Sequence, residues 1–504
     1  MGSNLSAFLR DTGKLLHIPA GLAFLSIPVI ISYKEWFALW PFAIMALISV
    51  AAGQLFYHIF KGGEETSKGL SVLLVAFAWL LISLFGAIPF YGISFTAPQD
   101  VYLQLPVFNT VVNSFFESVS GFTGTGLTML ENPSQIPYTL QWWRTFSEWI
   151  GGIGVIMLAS LLLKLNHDDE RLYNAETRNW QIPDAPLSAT IHKIWWIYIG
   201  YTLMSIFLYY FFGMPFWEAL NHGMTALGTG GFSVTSNSFT NYSTEIRGLT
   251  VGIMMMGAIA FKIHYLLIFR FDLKKIVHQT ELHYLFFFLI SAFLLLLWLY
   301  PEIAFIDLLF QAASALATCG LHTVDLSVWP MSPIFLLIVL MLLGANGGST
   351  GGGIKTIRFA WFAKGVWRSI KQLWYPEEKE ATVTFNSEVK EPKEMRNHIQ
   401  QAANILFLWV ITLTLGTFFL SFMVGEEYTF YQILFDATSA LSNVGLSTGV
   451  TGAGMPENAK YIISLMMWLG RLEIMAIVIL LISPFYLLRR KFSNRGESRE
   501  KESQ

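Results

Sequence analysis

Four stretches of this sequence each align on one glycine: Ser120-Gly-Phe-Thr-Gly-Thr-Gly126-Leu-Thr128, Thr225-Ala-Leu-Gly-Thr-Gly-Gly231-Phe-Ser233, Ser314-Ala-Leu-Ala-Thr-Cys-Gly320-Leu-His322 and Ser439-Ala-Leu-Ser-Asn-Val-Gly445-Leu-Ser447. Six residues before the aligned glycine stands a hydroxyl (Ser120, Thr225, Ser314, Ser439). Nine before it stands a polar side chain (Glu117, His222, Gln311, Asp436). A second glycine follows 24 to 26 residues later, at Gly151, Gly257, Gly344 and Gly470. An isolated glycine in apolar sequence often does no more than let helices pack closely. Four copies with matching flanks indicate one structural unit used four times.

The rest of the chain says where these units lie. Of 504 residues, 54% are hydrophobic and 13% charged, against about a quarter charged in soluble domains, and the mean hydropathy is +0.51. So few charges cannot clothe a water-soluble protein of this size, and the chain reads as a polytopic membrane protein. The same arithmetic excludes disorder and a disulfide-rich scaffold. One cysteine, Cys319, leaves no internal disulfide and no cysteine-based metal cluster, and no basic domain offers itself to nucleic acid. The first apolar stretch contains Pro19 and Pro28 and runs on into more apolar sequence, so no cleavable signal peptide is expected.

A helical span needs about 20 mostly apolar residues. This predicts ten spans, at 15–33, 37–60, 71–93, 140–164, 191–212, 247–270, 283–300, 333–357, 402–424 and 460–488. Four shorter apolar segments, 107–121, 215–227, 303–316 and 428–441, lead into the aligned glycines. A half-length helix followed by irregular backbone is expected to be re-entrant, because lipid does not tolerate exposed irregular backbone. Of the 32 Lys and Arg, all but Lys34, Arg144, Arg247, Lys460 and Arg471 fall in the termini and the loops 61–70, 164–193, 262–282 and 355–400. Positive charge marks the cytoplasmic side, so both termini are expected there.

The expected fold is therefore all-α, with about ten transmembrane helices and four re-entrant pore helices in four repeats around one pseudo-fourfold axis. The boundaries read as two extra N-terminal helices (1–70), repeats at 71–170, 171–275 and 276–375, a cytoplasmic connector (376–398), a fourth repeat (399–490) and a tail (491–504). Each short helix would direct the partial negative charge of its C-terminal end towards the axis. The glycine turns permit φ > 0 and let carbonyls turn inward without a Cβ clash. Rings of carbonyl oxygens replace the hydration shell of a weakly hydrated cation such as potassium. The stretches contain no carboxylate, which argues against a divalent site.

These repeats, the aligned glycines and the two extra N-terminal spans resemble the TrkH/KtrB potassium transporter superfamily, and within it the TrkH type of membrane subunit, over almost the whole chain. The resemblance implies a selectivity filter of four degenerate loops, here carried onto Gly126, Gly231, Gly320 and Gly445. It implies potassium as the transported ion, with glycine rather than serine at the first of these positions, and placement in the bacterial inner membrane; a sodium-preferring or cation-coupled relative of the same architecture is the alternative. It also implies a homodimer and a separate TrkA-type cytoplasmic ring, on which the nucleotide (NAD or ATP) is expected. No cofactor beyond transported potassium is expected on this chain. Position −1 of the filter is Thr125, Gly230, Cys319 and Val444, and position −2 is Gly124, Thr229, Thr318 and Asn443. With such mixed side chains the carbonyl cage is expected to be looser than a symmetric one.

Two features fall on the second spans. Gly344-Ala-Asn-Gly-Gly-Ser-Thr-Gly-Gly-Gly353 holds six glycines, Gly344, Gly347, Gly348, Gly351, Gly352 and Gly353, so a continuous helix is disfavoured. A phosphate loop fails on pattern, because Ile354 separates Gly353 from Lys355. A passive kink and a moving gate both fit, and the resemblance implies the gate. Arg471 lies a third of the way along the last span, aligned with Gly152, Ala258 and Ala345. A deep arginine faces protein or a water cavity, so it is expected either to pair with Glu473 or to project into the pore as a barrier. Glu117, His222, Gln311 and Asp436 are expected to brace the short helices against neighbouring spans, or else to tune the potential at the outer mouth. Arg144 and Glu148 are expected to pair at i,i+4, and Lys262 and His264 to snorkel at the cytoplasmic end. An intramembrane enzyme would need a nucleophile–base pair or a metal cluster. The sequence has no HExxH pattern.

Overall fold

The computed structural model describes residues 3–61, 68–154, 187–374, 383–385, 388–390 and 392–472. Two N-terminal helices, α1 (Ser3–Leu15) and α2 (Ile18–Tyr33), run almost continuously, and α3 (Leu39–Ile59) returns beside them. Glu35, between α2 and α3, is buried and accepts the Tyr138 and Thr139 backbone N–H groups at 2.9 and 2.7 Å. The carboxylate thereby caps the start of a later helix, where orphan N–H groups and the helix dipole favour an anion. This ties the extra helices to the first repeat.

Four units of one pattern follow. The first is α4 (Lys68–Thr96), α5 (Val111–Thr123) and α6 (Tyr138–Ile153). The second is α7 (Leu187–Phe211), α8 (Phe216–Gly228) and α9 (Thr244–Ala258), trailed by the short α10 (Phe261–Tyr265) and α11 (Leu273–Val277). The third is α12 (Thr280–Leu299), α13 (Phe305–Ala317) and α14 (Met331–Leu343), then a loop and α15 (Thr356–Trp374). The fourth is α16 (Pro392–Val424), α17 (Phe430–Ser442) and α18 (Glu457–Arg471). Each of α5, α8, α13 and α17 has 13 residues and is buried over most of its length. They begin within four residues of the apolar segments read from the sequence.

The ten apolar spans do not appear as ten unbroken helices. Among the described residues, six helices are long and apolar enough to cross a membrane, or seven if the bent pair Thr244–Ala258 and Phe261–Arg270 is one span. The shortfall lies in the second helix of each repeat: α6, α9, α14 and α18 all end within three residues of Gly151, Gly257, Gly344 and Gly470. Past Ala258 the chain bends by 100°. The far parts of the spans 140–164 and 460–488, and the tail, lie outside the described residues. Among the described residues the one exception to an all-helical fold is in the connector, an antiparallel pair of three-residue strands, Val383–Phe385 and Glu388–Lys390.

Candidate functional site

The four short helices end alike. The residue two before each aligned glycine closes its helix in the left-handed region: Gly124 at φ 64°, Thr229 at 51°, Thr318 at 54° and Asn443 at 53°. The next N–H, of Thr125, Gly230, Cys319 or Val444, turns back to the carbonyl of Ser120, Thr225, Ser314 or Ser439 at 2.9–3.0 Å. This hydrogen bond satisfies an orphan carbonyl of the last turn. Glycine and asparagine adopt that conformation easily. Threonine is β-branched and pays strain there of about 1–3 kcal/mol.

The aligned glycines close a ring. All four have positive φ, 88°, 98°, 85° and 102° in chain order. A Cβ on Gly126 would strike the Gly230 carbonyl oxygen, one on Gly231 that of Cys319, one on Gly320 that of Val444 and one on Gly445 that of Thr125. The same Cβ atoms would lie 2.9–3.1 Å from the Cα of the next repeat's glycine. Each glycine thus lies against the carbonyl that precedes the next one, and the fourth returns to the first. Above the ring opens a cavity of about 920 Å³ whose lining includes all four glycines with Thr128, Ser233, His322 and Ser447.

The polar side chains nine residues before the ring do brace: all four bond to the segment that leaves the glycine, and Glu117 also bonds to a neighbouring span through Arg144. Glu117 accepts from Thr128 Oγ1 at 2.7 Å and Met129 N at 2.9 Å. His222 Nε2 meets Ser233 Oγ at 2.9 Å, and Gln311 donates to Thr323 Oγ1 at 3.4 Å. Asp436 accepts from Ser447 Oγ, Thr448 N and Thr451 N at 2.7–2.9 Å. Arg144 does not pair with Glu148. Its Nε donates to Glu117 at 2.7 Å and its Nη1 to the Ser233 carbonyl at 2.8 Å, and its guanidinium stacks on Phe232. This buried cation therefore ties repeat one to repeat two. Glu148 takes the Phe232 N–H at 3.0 Å with both oxygens, a role that only the fold reveals.

The glycine-rich segment is a loop pressed against the lower ends of three short helices. Thr350 Oγ1 approaches the Leu227 carbonyl at 3.0 Å and Thr229 Oγ1 at 3.1 Å. Gly352 N donates to Thr318 Oγ1 at 2.6 Å, and Gly353 N to the Ser442 carbonyl at 3.0 Å. The two strained threonines therefore carry the loop. Of its six glycines, Gly344, Gly348 and Gly353 have positive φ, whereas Gly351 and Gly352 lie where a Cβ would meet Ala317 O and Ser442 O. The N–H of Gly347 goes to Glu281 at 3.0 Å.

Arg471 reaches across from α18 to the end of α6. Its Nη2 donates to the Gly151 carbonyl and, at 3.3 Å, to that of Gly152, with the guanidinium 5.0 Å from the Trp79 ring. Glu473, the partner in the alternative to a barrier role, lies outside the described residues. His264 does not snorkel: it is buried, between Tyr201 Oη at 3.2 Å and the Met256 carbonyl at 2.9 Å. Among the described residues no group of three or more His, Cys, Asp or Glu is placed to hold a metal ion.

Comparison with known proteins agrees with this architecture. The family model described as "TrkH: Cation transport protein" matches residues 100–301 and 299–486. An uncharacterized cation transporter of Methanocaldococcus jannaschii is 31% identical, covering 95% of this chain and 97% of its own. The Trk system potassium uptake protein TrkG of Escherichia coli is 28% identical, covering 91% and 94%. The crystal structure of the potassium transporter TrkH from Vibrio parahaemolyticus superimposes with a TM-score of 0.78 at 23% identity, over 95% of this chain and 99% of that one, and so shares the fold. The family is one of transporters, not enzymes. This multi-pass membrane protein belongs to the TrkH family of cation transport proteins.

Proposed function

We propose that this chain takes up potassium across the bacterial inner membrane through a filter built on Gly126, Gly231, Gly320 and Gly445. The observation that carries the reading is the closed ring in which each glycine lies against the carbonyl before the next. Four carbonyls, of Thr125, Gly230, Cys319 and Val444, then replace water around a weakly hydrated ion, and the dipoles of four short helices add negative potential from below. Gly124, Thr229, Thr318 and Asn443 set the turn that presents those carbonyls. The cavity above the ring is the outer vestibule. Curated relatives named as Trk system potassium uptake proteins support potassium as the ion.

In this reading the short helices are re-entrant from outside, ten spans cross the bilayer, and both termini are cytoplasmic. The units follow the boundaries 71–170, 171–275, 276–375 and 399–490, after two extra helices (1–70), with a connector at 376–398 and a tail at 491–504. The loop Gly344–Gly353 is the gate beneath the filter, and Arg471 places positive charge at the same level. A TrkA-type cytoplasmic ring carrying NAD or ATP moves the gate, and the membrane subunit is a homodimer. The test is potassium against sodium flux in proteoliposomes, with Gly126→Ser and Arg471→Ala alongside. Potassium preference that Gly126→Ser weakens is expected. Equal flux of both ions through the unaltered chain would overturn the filter assignment.

A further inference from the structure

The glycine loop is held on the filter side by Thr229, Thr318 and Ser442, and on its other side by a carboxylate. Glu281, in the first turn of α12, accepts the Gly347 N–H through Oε2 at 3.0 Å. The cations whose charges act on it come from three elements: Lys262 on α10, Lys355 at the end of the loop and Arg358 on α15. Lys355 itself has φ 78°, and its Nζ donates to the Gly351 carbonyl. One carboxylate therefore reaches the middle of the loop while sitting among cations that include the two flanking its exit. It also begins the helix that follows the basic segment Lys274-Lys275 of the loop 262–282.

We propose that Glu281 is the latch of the gate: a positioning residue that holds Gly347, and with it the loop, under the filter, and whose withdrawal frees the loop. This rests on the gate reading above. The competing explanation is that an acid in the first turn of α12 merely complements the helix dipole. Aspartate separates the two, because it keeps the charge in the first turn but is one methylene too short to reach Gly347.

The experiment measures potassium flux from loaded proteoliposomes without any regulator, for the unaltered chain, Glu281→Leu, Glu281→Asp, Glu281→Gln and a chain lacking Gly347–Gly351. Size-exclusion profiles and the potassium-to-sodium flux ratio are recorded for each. Glu281→Leu and Glu281→Asp are expected to raise flux roughly tenfold, the population shift that follows loss of one charge-assisted hydrogen bond. Glu281→Gln, which keeps an accepting oxygen, should raise it less, and the ion ratio should stay constant. If the loop deletion raises flux while monodisperse Glu281→Asp matches the unaltered chain, the latch is wrong and the gate stands. If the deletion also leaves flux unchanged, the gate reading fails and the latch with it. Should Glu281→Leu not fold, Glu281→Asp decides alone.

Discussion

The third repeat breaks a contact that the other three keep. In repeats one, two and four, the landmark glycine packs against the carbonyl four residues before the ring: Gly151 on Phe122, Gly257 on Leu227 and Gly470 on Leu441. In repeat three, Gly344 instead faces its own loop, at Gly352 O and Gly353 Cα, and Gly351 takes the place beneath the short helix, at Ala317 O and Thr318 Oγ1. One sequence unit thus yields a helix-on-helix contact three times and a loop-on-helix contact once. Six glycines in ten residues explain the difference. They remove both the helix propensity and the side chains that would lock the chain in place.

The equivalence of the ring and the exception of the third repeat can each be broken by mutation. The largest effect is expected at the ring. Alanine at Gly126, Gly231, Gly320 or Gly445 adds a Cβ against a neighbouring carbonyl at a positive φ, which alone costs about 1–2 kcal/mol, so potassium flux in proteoliposomes should vanish for all four. One tolerant position would break the fourfold equivalence. Next comes Glu117→Ala, which strands the buried Arg144 and should lower unfolding stability in detergent by about 3–5 kcal/mol. The landmark glycines should then diverge. Gly257→Ala should destabilise the fold, whereas Gly344→Ala should loosen the loop and raise flux; like behaviour of the two would erase the exception. Arg471→Ala should increase conductance several-fold, and a fall with intact folding would mark Arg471 as structural. The smallest effect belongs to Gln311→Leu, about 1 kcal/mol or less, because its one brace is a 3.4 Å contact.

Much of this arrangement is readable in the primary structure, and the unread part has physical causes. The ring glycines align because a positive φ and a close carbonyl leave no room for any Cβ, so the constraint is written in single residues. The four 13-residue helices are legible because their apolar runs are too short to span. The ends of α6, α9 and α18 are not legible: one to three glycines per helix cost little propensity, and each landmark glycine packs on the backbone of its own repeat's short helix. Only the third break is announced, by its density of glycines. Arg144 and Glu148 show the limit of local spacing. Four residues apart on one face, they separate because Glu117 and the Phe232 N–H, distant in sequence, offer fully buried partners. A signal did exist for the braces: a hydroxyl two or three residues beyond each ring glycine, at Thr128, Ser233, Thr323 and Ser447. Glu281 carried none, since the partner it finds is a backbone N–H.

The most direct test of the glycine ring as the ion site is anomalous diffraction from crystals of this protein soaked in thallium, an ion that stands in for potassium. A peak is expected at the middle of the ring, coordinated by the carbonyl oxygens of Thr125, Gly230, Cys319 and Val444. Ions bound in the vestibule or elsewhere, with the ring centre empty, would contradict it.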